Sequence, residues 1–454
     1  MNLISTKHTL SGVITVPGSK SHTIRALVLA SLADGESVIK NPLASNDCLS
    51  AARAIRLIGS DVDFSSNKEW HVKANHFQRH LADDVVNVDN SGSTMYFFAP
   101  ICATFSGSTV FTGDASIRKR PVLHLLDALR QLGAAAFTTR PEKNSPPFVV
   151  TGPIKSGRVK TDGKLSQYIS GLMMACSQID GKTEIELTSP KEVPYLSMTK
   201  WWLNSVGVSV EMSDDYRHIS IEGKQKIQPF VRTIPSDWEA VAFPLIAALI
   251  SRSDIVIDNI DVSGTQGDEK IVSILQSVGA KIEYETVLSP DGACESARLH
   301  VFGSESHLTT ENLLNGTLRV TLADFPDAIC ALAVIACFID GKTILEDIEI
   351  CRKKETDRIC VMENELSKLG AIIKDTGDAL VIQGVSLGAN LKGGIVESYE
   401  DHRVAMALSC IGLGLKEGDF IQVKDAECCS VSFPGYVETM NALGCGFECD
   451  SNKN

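Results

Sequence analysis

The residues with the clearest potential for chemistry lie in the segment KETDR, from Lys354 to Arg358. Lys354 and Arg358 are four residues apart, so a helix would place both on one face beside Glu355. Asp327 precedes another apolar helical run, where it is either a second functional carboxylate or only an N-cap. Carboxylates held among cations suit general acid–base catalysis on a polyanionic substrate.

A second candidate site lies near the start of the chain, in the segment PGSKSHTIR that ends at Arg25. It departs from the nucleotide-binding loop, because one residue separates Gly18 from Lys20. Lys20, Ser21 and Arg25 nevertheless fall in the first turns of an apolar helix, where unsatisfied N–H groups and the helix dipole favour an anion. The alternative is a capped helix with solvated charges.

A repeated pattern occurs six times, in which an apolar residue and a glycine close an amphipathic helical segment. Each copy is typical of a strand, a helix of small apolar residues, a second strand and an amphipathic helix. The glycines suit the left-handed position that follows a helix. They are Gly59, Gly133, Gly207, Gly279, Gly370 and Gly444. We predict six β-α-β-α-β units, three in each half of the chain, with the first helices buried and the second ones outward.

The first helix of every repeat begins at polar residues. If each half has pseudo-threefold symmetry, these starts converge and their dipoles add, which predicts a site in a cleft between the halves. The charges of Arg118–Arg120 would reach the same side, unless they are only solvated surface charges. His22 and His402 lack a paired Ser or Cys, so we expect them to pack or hydrogen-bond. The starts are Ser19–Arg25, Ser91–Thr94, Ser166–Gln167, Ser236–Asp237, Asp327 and Asp401–Arg403.

Composition excludes several classes of protein. The 454 residues are too many for one ordinary core, and we place a boundary near Thr233–Pro235. The net charge of −13 argues against nucleic acid and anionic membranes as partners, which need a broad basic face. The chain lacks a signal-like apolar segment and a membrane-length apolar run, which predicts a cytoplasmic protein. Thirteen scattered cysteines indicate reduced thiols, and their spacing predicts no metal site.

Seven segments of the chain carry a family resemblance, in this order: VPGSKSHTIRALVLASLADG, DNSGSTM, TGDASIRKRPVLHLLDALRQLG, LSQYISGLMMA, FPDAICALAV, KKETDRI and YEDHRVAMAL. Together they resemble the 5-enolpyruvylshikimate-3-phosphate synthases, a family of enolpyruvyl transferases. The resemblance runs from about Leu10 to Leu443. The related transferases of peptidoglycan synthesis fit less well, because they carry a cysteine where this chain has Ala115–Ile117.

The resemblance implies an α/β fold of two globular domains, each made of three β-α-β-α-β-β units in pseudo-threefold arrangement around a shared cleft. Residues 1–19 and 235–454 would form one domain and residues 20–234 the other. The implied reaction transfers the enolpyruvyl group of phosphoenolpyruvate to a hydroxyl of shikimate 3-phosphate and releases phosphate. No metal or organic cofactor, and no nucleic acid or membrane partner, is expected, and the protein is expected to be a monomer.

The resemblance also assigns roles to particular residues. Asp327 would be the base and Glu355 the proton donor, with Lys20 assisting. Ser21 and Arg25 would bind the carboxylate of the acceptor. The residues that would bind phosphoenolpyruvate are Gly92, Arg120, Gln167, Arg358 and Arg403. The residues that would line the rest of the acceptor site are Ser166, Tyr195, Asp327 and Lys354.

Five positions depart from the family pattern: Tyr96, Leu165, Glu192, Ile350 and Val431. Tyr96 replaces an arginine and Val431 a lysine, whereas the other three lie on the acceptor side. A carboxylate beside a buried phosphate is costly unless a cation neutralises it. The acceptor-side departures would be explained by enolpyruvyl transfer to a different hydroxylated acid. Two further alternatives are a non-catalytic anion-binding paralogue and an RNA-end-processing enzyme built from the same repeat.

Overall fold

The structure, a computed structural model, describes residues 1–288 and 294–450. The strands in this part of the chain are β1 Asn2–Thr6, β2 Ser11–Thr15, β3 Gly35–Lys40, β4 Asp61–Asp63, β5 Glu69–Ala74, β6 Val86–Asn87, β7 Gly107–Thr112, β8 Ala135–Thr138, β9 Phe148–Gly152, β10 Arg158–Thr161, β11 Lys182–Leu187, β12 Val210–Met212, β13 His218–Glu222, β14 Val231–Thr233, β15 Asp254–Ile260, β16 Ile282–Leu288, β17 Cys294–Phe302, β18 Thr317–Thr321, β19 Gly341–Glu346, β20 Ile372–Asp375, β21 Ala379–Gly384, β22 Gly394–Glu397, β23 Phe420–Lys424 and β24 Glu448–Asp450.

Two kinds of helix connect these strands. The α-helices of the described residues are α1 Lys20–Leu32, α2 Asn46–Arg56, α3 Gly92–Cys102, α4 Leu123–Gln131, α5 Ser166–Cys176, α6 Val193–Ser205, α7 Trp238–Ile250, α8 Lys270–Ser277, α9 Ile329–Ala336, α10 Arg358–Lys368, α11 His402–Ile411 and α12 Tyr436–Ala442. Short 3₁₀-helices span Ile117–Lys119, Gly267–Glu269, Leu314–Gly316, Pro326–Ala328, Glu349–Lys353, Ser386–Gly388, Gly412–Gly414 and Ala426–Val431.

Six sheets of four strands repeat one arrangement, a parallel pair followed by two antiparallel strands. In the order β6-β7-β9-β8, for example, β6 is parallel to β7, while β9 is antiparallel to β7 and β8. The other orders are β14-β3-β5-β4, β10-β11-β13-β12, β2-β15-β17-β16, β18-β19-β21-β20 and β22-β23-β1-β24. The predicted α/β class and the repeated β-α-β-α-β-β unit are confirmed.

Two strands pair in the sheet of a different repeat from the helix that follows them in the chain. Strand β2 leads into α1 but pairs in parallel with β15, with Val13 opposite Val256. Strand β14 leads into α7 but pairs with β3, with Val231 opposite Val38. The repeats are therefore not contiguous in the chain at these two places. The chain divides accordingly into one compact unit of residues 1–17 and 235–454 and a second of residues 18–234.

The first helix of each repeat is buried, as predicted. In residues 18–234, α3 packs against α1 and α5; in the other unit, α11 packs against α7 and α9. These helices bury nearly every side chain, whereas the second helices, such as α2 and α8, keep an exposed face. The six glycines that follow the second helices all have left-handed φ values, between +92° and +99°. No described helix is long and apolar enough to cross a membrane.

Candidate active site

A buried arginine organises the charged cluster of residues 1–17 and 235–454. Arg358 is the first residue of α10, and its side chain is fully buried. Its Nε donates to Asp401 Oδ2 over 2.7 Å, and its Nη2 donates to Glu355 Oε2 over 2.7 Å. Its Nη1 donates to Asp327 Oδ1. Burial lowers the pKa of Arg358, but the three carboxylates raise it well above its usual value, so the guanidinium stays charged.

Two more cations contact Asp327. Lys354 Nζ lies 3.3 Å from Asp327 Oδ2, and Arg403 Nε lies 3.4 Å from Asp327 Oδ1. Arg403 also pairs with Glu239. The cluster therefore holds three cations and four carboxylates, so its charges nearly balance.

The carboxylates of this cluster differ in how far their side chains are exposed, and this difference indicates their roles. Asp401 is fully buried, and its Oδ1 accepts from the N–H of Arg403 at the start of α11 over 2.9 Å. Asp327 is 14% exposed and Glu355 24% exposed. Only Asp327 and Glu355 of these three can therefore reach a bound molecule, while Asp401 orients Arg358 and the start of α11.

The local structure around KETDR differs from the expected helix. Residues Lys354–Asp357 form a turn between a 3₁₀-helix and α10, because the Asp357 side chain caps α10 by accepting from the N–H of Cys360 over 3.1 Å. The premise that a helix places Lys354 and Arg358 on one face is therefore wrong. The two cations still meet, because both contact Asp327.

Asp327 is not the N-cap of α9. It lies inside the 3₁₀-helix Pro326–Ala328, and the N-cap residue is Ala328. Its position is set instead by the three cations described above. The interpretation of Asp327 as only an N-cap is therefore wrong.

In residues 18–234, the start of α1 carries two of the predicted cations. Lys20 is the first residue of α1, and its Nζ lies 3.7 Å from Asp47 Oδ2. Ser21 accepts through its backbone carbonyl from Arg25 Nη1 over 3.0 Å. His22 Nδ1 accepts from Trp202 Nε1 over 3.0 Å, which confirms its predicted role in packing and hydrogen bonding.

Arg25 is a buried cation bound by neutral groups. Its donors reach Thr199 Oγ1 at 2.8 Å, Ser170 Oγ at 3.3 Å and the Tyr195 carbonyl at 3.1 Å. None of the hydrogen bonds that the structure describes for Arg25 goes to a carboxylate. Burial lowers the pKa of Arg25 to about 9, against an opposing effect of Tyr195. An anion bound at this guanidinium would complete its charge balance.

Arg120 lies directly over the start of α3. A β-carbon built on Gly92 would be 2.6 Å from Arg120 Nη1, so the glycine makes room for the guanidinium. Tyr96 OH donates to the carbonyl of Pro121 over 2.6 Å and so holds the backbone next to Arg120. Gln167 Nε2 donates to Ser93 Oγ over 2.9 Å. These contacts link the starts of α3 and α5 to the segment that carries Arg120.

An internal carboxylate lies at the start of α5. Glu192 is 4% exposed and adopts a left-handed φ of 52° immediately before α6. Its Oε2 accepts from the Ser166 N–H over 3.2 Å and from Ser166 Oγ over 2.9 Å. Ser166 is thus engaged by Glu192, one of the positions where the chain departs from the family pattern.

The structure divides the predicted site residues between the two units. One unit holds Asp327, Lys354, Glu355, Arg358 and Arg403 in a single ionic cluster. The unit of residues 18–234 holds the others at helix starts or in the loop beside α3: Lys20, Ser21, Arg25, Gly92, Arg120, Ser166, Gln167 and Tyr195. Asp401 and Glu239 were missed as members of the cluster. Asp401 was recognised only as part of a helix start, and nothing in the sequence around Glu239 distinguishes it from a solvated charge.

Six β-α-β-α-β-β units in two sets of three, with guanidinium and carboxylate groups at the helix starts, are the architecture expected of an enolpyruvyl transferase. The sequence model of EPSP synthase (3-phosphoshikimate 1-carboxyvinyltransferase) matches residues 4–440. The chain therefore belongs to the EPSP synthase family.

Named relatives agree over nearly the whole chain. The 3-phosphoshikimate 1-carboxyvinyltransferase of Acetivibrio thermocellus is 39% identical over 96% of this chain and 97% of its own. That of Methanococcus maripaludis is 36% identical over 97% of both chains. Among solved structures, EPSP synthase of Acinetobacter baumannii superimposes with a TM-score of 0.82 at 27% identity, over 99% of both chains.

Proposed function

We propose that this protein transfers the enolpyruvyl group of phosphoenolpyruvate to a hydroxyl of shikimate 3-phosphate and releases phosphate, in the biosynthesis of aromatic amino acids. Family membership supports the reaction. We further propose that residues 1–19 with 235–454, and residues 20–234, are its two enolpyruvyl transferase domains. The observation that carries the proposed chemistry is that Asp327 and Glu355, both partly exposed, share the buried guanidinium of Arg358.

The reaction needs three proton transfers. The acceptor hydroxyl loses a proton as its oxygen attacks the central carbon of phosphoenolpyruvate, and the methylene carbon gains one to become a methyl group. Loss of a methyl proton then expels phosphate and restores the double bond. In our proposal Asp327 accepts the hydroxyl proton, Glu355 supplies and later removes the carbon-bound proton, and Lys20 assists. A guanidinium shared by both carboxylates stabilises whichever of them is ionised.

The substrates carry carboxylate and phosphate groups that the remaining side chains would bind. We propose that Ser21 and Arg25 bind the carboxylate of the acceptor, which would give Arg25 the anion that its neutral partners do not supply. The proposed phosphoenolpyruvate ligands are Gly92, Arg120, Gln167, Arg358 and Arg403. The proposed remaining acceptor contacts are Ser166, Tyr195, Asp327 and Lys354. Preorganised cations of this kind stabilise the charge that develops in the tetrahedral intermediate.

We also propose that the protein acts in the cytoplasm, as a monomer. Every cysteine whose side chain the structure describes is a free thiol, and most of them are buried in the cores. Free buried thiols are typical of a reducing compartment. The proposal of a monomer follows from the family resemblance.

The test is phosphate release by the purified full-length protein from phosphoenolpyruvate, with shikimate 3-phosphate or with shikimate as the acceptor. We expect turnover with the phosphorylated acceptor. Turnover with shikimate and none with shikimate 3-phosphate would reject the proposed acceptor and favour a related acid. Binding of both substrates without product would favour an anion-binding paralogue.

Two substitutions test the proton-transfer roles. Asp327→Asn and Glu355→Gln should each lower kcat at least about 10²-fold, the scale of general acid–base help. Asp324→Asn and Glu349→Gln remove nearby carboxylates that pair only with Lys270 and Lys353 in the described contacts, so they should stay within about threefold of the parent. Unfolding midpoints of all four variants control for lost stability. Near-parental rates for both Asp327→Asn and Glu355→Gln would contradict the assignment.

A further inference from the structure

A cavity of about 560 Å³ lies in residues 18–234, at the C-terminal ends of the inner helices α1, α3 and α5. The polar starts of these helices are at their opposite ends. It is bounded by Leu32 at the end of α1, by Ile101 and Thr104 at the end of α3, and by Gln178 just after α5. We call it the helix-end cavity. Helix α1 has 13 residues, so Lys20 and the cavity are separated by about 18 Å along its axis. The cavity is thus distinct from the candidate active site.

The cavity arises in the first repeat, where the end of a strand does not pack against the end of the inner helix as it does in the other two repeats. Gly152 pairs with Gly107, and a β-carbon at Gly152 would lie 2.2 Å from the Ala103 carbonyl oxygen at the end of α3. A β-carbon at Gly223 would likewise lie 1.9 Å from the Ile179 carbonyl oxygen. Only glycine permits this approach.

The corresponding residue of the first repeat is Ala74, which pairs with Gly35. Its methyl group prevents the close approach seen in the other two repeats. The chain turns away instead, and the His76 N–H donates to the Asp34 side chain over 2.7 Å. In the second repeat, by contrast, the Ile154 N–H donates to the Ala103 carbonyl over 2.8 Å. The divergence of the first repeat leaves the space open.

The other unit carries larger apolar side chains at the matching place. There Phe338 and Ile250 pack against Gly414, to which a β-carbon could not be added without coming within 2.7 Å of both side chains. Phe338 precedes Gly341, the first residue of β19, by three residues, and Thr104 precedes Gly107, the first residue of β7, by three. Thr104 thus has the repeat position of Phe338, but its short side chain leaves the volume unfilled.

The walls of the helix-end cavity combine apolar side chains with excess positive charge. Its basic residues are His76, Arg79, Lys224 and Lys226, and its acidic residues are Asp34 and Asp180. Its apolar wall consists chiefly of Leu32, Ile101, Phe105, Ile154, Ile179 and Ile227. Asp34 pairs with His76 at 2.9 Å, and Asp180 pairs with Lys224 at 2.9 Å. Asp180 therefore already has a cation, and Asp34 already has the His76 ring as a hydrogen-bond partner.

Arg79 is a mostly buried and poorly satisfied cation of this wall. Its Nη1 donates to Gln178 Oε1 at the long distance of 3.4 Å, and its Nη2 is 3.8 Å from Asp34 Oδ1. Its Nε is buried and has no hydrogen-bond partner among the described residues. The side chain is only 14% exposed, so bulk water satisfies little of its hydrogen-bonding capacity.

We infer that the helix-end cavity is a second binding site, which takes a small carboxylic acid with an apolar body. The carboxylate would pair with Arg79, whose planar fork suits bidentate contact, and the hydrocarbon part would lie against the isoleucine and leucine side chains.

The test uses 4-methylpentanoate as the probe and its neutral isostere 4-methylpentanamide, with saturation-transfer NMR on the full-length protein. We expect the carboxylate to bind at least about tenfold more tightly than the amide, as a charge-assisted pair predicts. Arg79→Met should reduce the affinity for the carboxylate to that for the amide. Arg130→Met removes an exposed arginine that pairs with Asp127 on the same unit, and it should change neither affinity.

A second variant fills the cavity without changing charge. Thr104→Phe introduces the residue found at the matching position of the other unit and should abolish binding of both probes. Phosphate release from the substrates should stay near the parental rate in both cavity variants, which also shows that they fold. Equal binding of acid and amide, or carboxylate binding that survives Arg79→Met, would overturn the inference.

Discussion

At the scale of single residues, Arg358 shows how a buried charge is maintained. A guanidinium without water is costly unless every side of it is paired. Here Asp401, Glu355 and Asp327 accept hydrogen bonds from its three nitrogens. Their combined negative charge outweighs the effect of burial on the pKa of Arg358. The arrangement fixes two partly exposed carboxylates relative to each other, which is the preorganisation that acid–base catalysis requires.

His124 is a partly buried titratable residue that the proposed chemistry does not use. Its ring lies 4.5 Å from the Tyr168 ring and 5.6 Å from the Tyr96 ring, centroid to centroid. Its Nε2 is buried without a hydrogen-bond partner in the part of the chain that the structure describes. Burial lowers the pKa of His124 to about 4 from an ordinary 6.5, although Asp162 and Asp127 act in the opposite direction.

This shift predicts acid sensitivity. Because the folded-state pKa lies below the unfolded one, the unfolded chain binds the proton first as the pH falls. The stability that neutral His124 contributes is therefore complete above about pH 6.5 and is lost as the pH falls toward 4. A difference of this size corresponds to about 3 kcal/mol. His124→Phe, which keeps the ring contacts, should be less acid-sensitive by that amount.

Urea unfolding at pH 7.5 and pH 4.5 measures the effect, with His80→Phe as the control. His80 is exposed, so its replacement should leave the parental pH dependence unchanged. If the parent and His124→Phe lose the same free energy of unfolding between the two pH values, His124 does not act as described.

At the scale of elements, local patterns predicted most of what positions the site. The glycines after the second helices and the polar starts of the first helices follow from backbone preferences of a few residues, and all six glycines have the predicted φ. The turn at KETDR was not predicted, because Asp357 competes successfully as an N-cap and delays α10 until Arg358. Helix boundaries depend on such competition between neighbouring side chains, which composition alone does not resolve.

The sequence indicated some carboxylates of the candidate site and not others, for a physical reason. Asp327 and Glu355 were proposed because carboxylates among cations suit acid–base chemistry, and because the family resemblance assigns them these roles. Asp401 and Glu239, which orient Arg358 and Arg403, lie 43 and 164 residues from those partners in the chain. Ion pairs of this kind form only when the helices pack, so no spacing in the sequence indicates them.

Gly92 at the start of α3 gives a test at this scale. Gly92→Ala should improve helix propensity, but its methyl group must displace the guanidinium of Arg120, whose nearest atom is 2.6 Å from the new carbon. The end of a flexible side chain moves at low cost, so the unfolding midpoint should not fall. The KM for phosphoenolpyruvate should rise about tenfold or more, as expected for a lost charge-assisted contact.

Gly157→Ala is the matched control for this substitution. Its added methyl group would meet only Leu132, at an ordinary 3.8 Å, so KM should stay at the parental value. An unchanged KM in Gly92→Ala would mean that Arg120 does not bind phosphoenolpyruvate from the position described here.

At the scale of the whole molecule, the two strand exchanges decide which residues fold together. The repeat pattern alone predicted six similar units, and only the family resemblance implied that the start of the chain joins residues 235–454. The pairing of β2 with β15 joins positions about 240 residues apart. Long-range strand pairings of this kind have no local sequence signal, because any strand with a suitable hydrophobic pattern could pair at the same sheet edge. The exchange leaves residues 18–234 with three complete four-stranded sheets.

This completeness predicts that residues 18–234 fold without the rest of the chain. The fragment contains β14, the edge strand that pairs with β3, and it has its own continuous core of buried side chains. A fragment of residues 18–228 lacks only β14 and the segment around it, so it should lose the Phe230 backbone contact with Val38 and unfold at a lower temperature. Residues 235–454 alone lack β1, an inner strand of its sheet, and should not fold. Circular dichroism melts of the three fragments test this order, and a cooperative transition in residues 235–454 but none in residues 18–234 would contradict it.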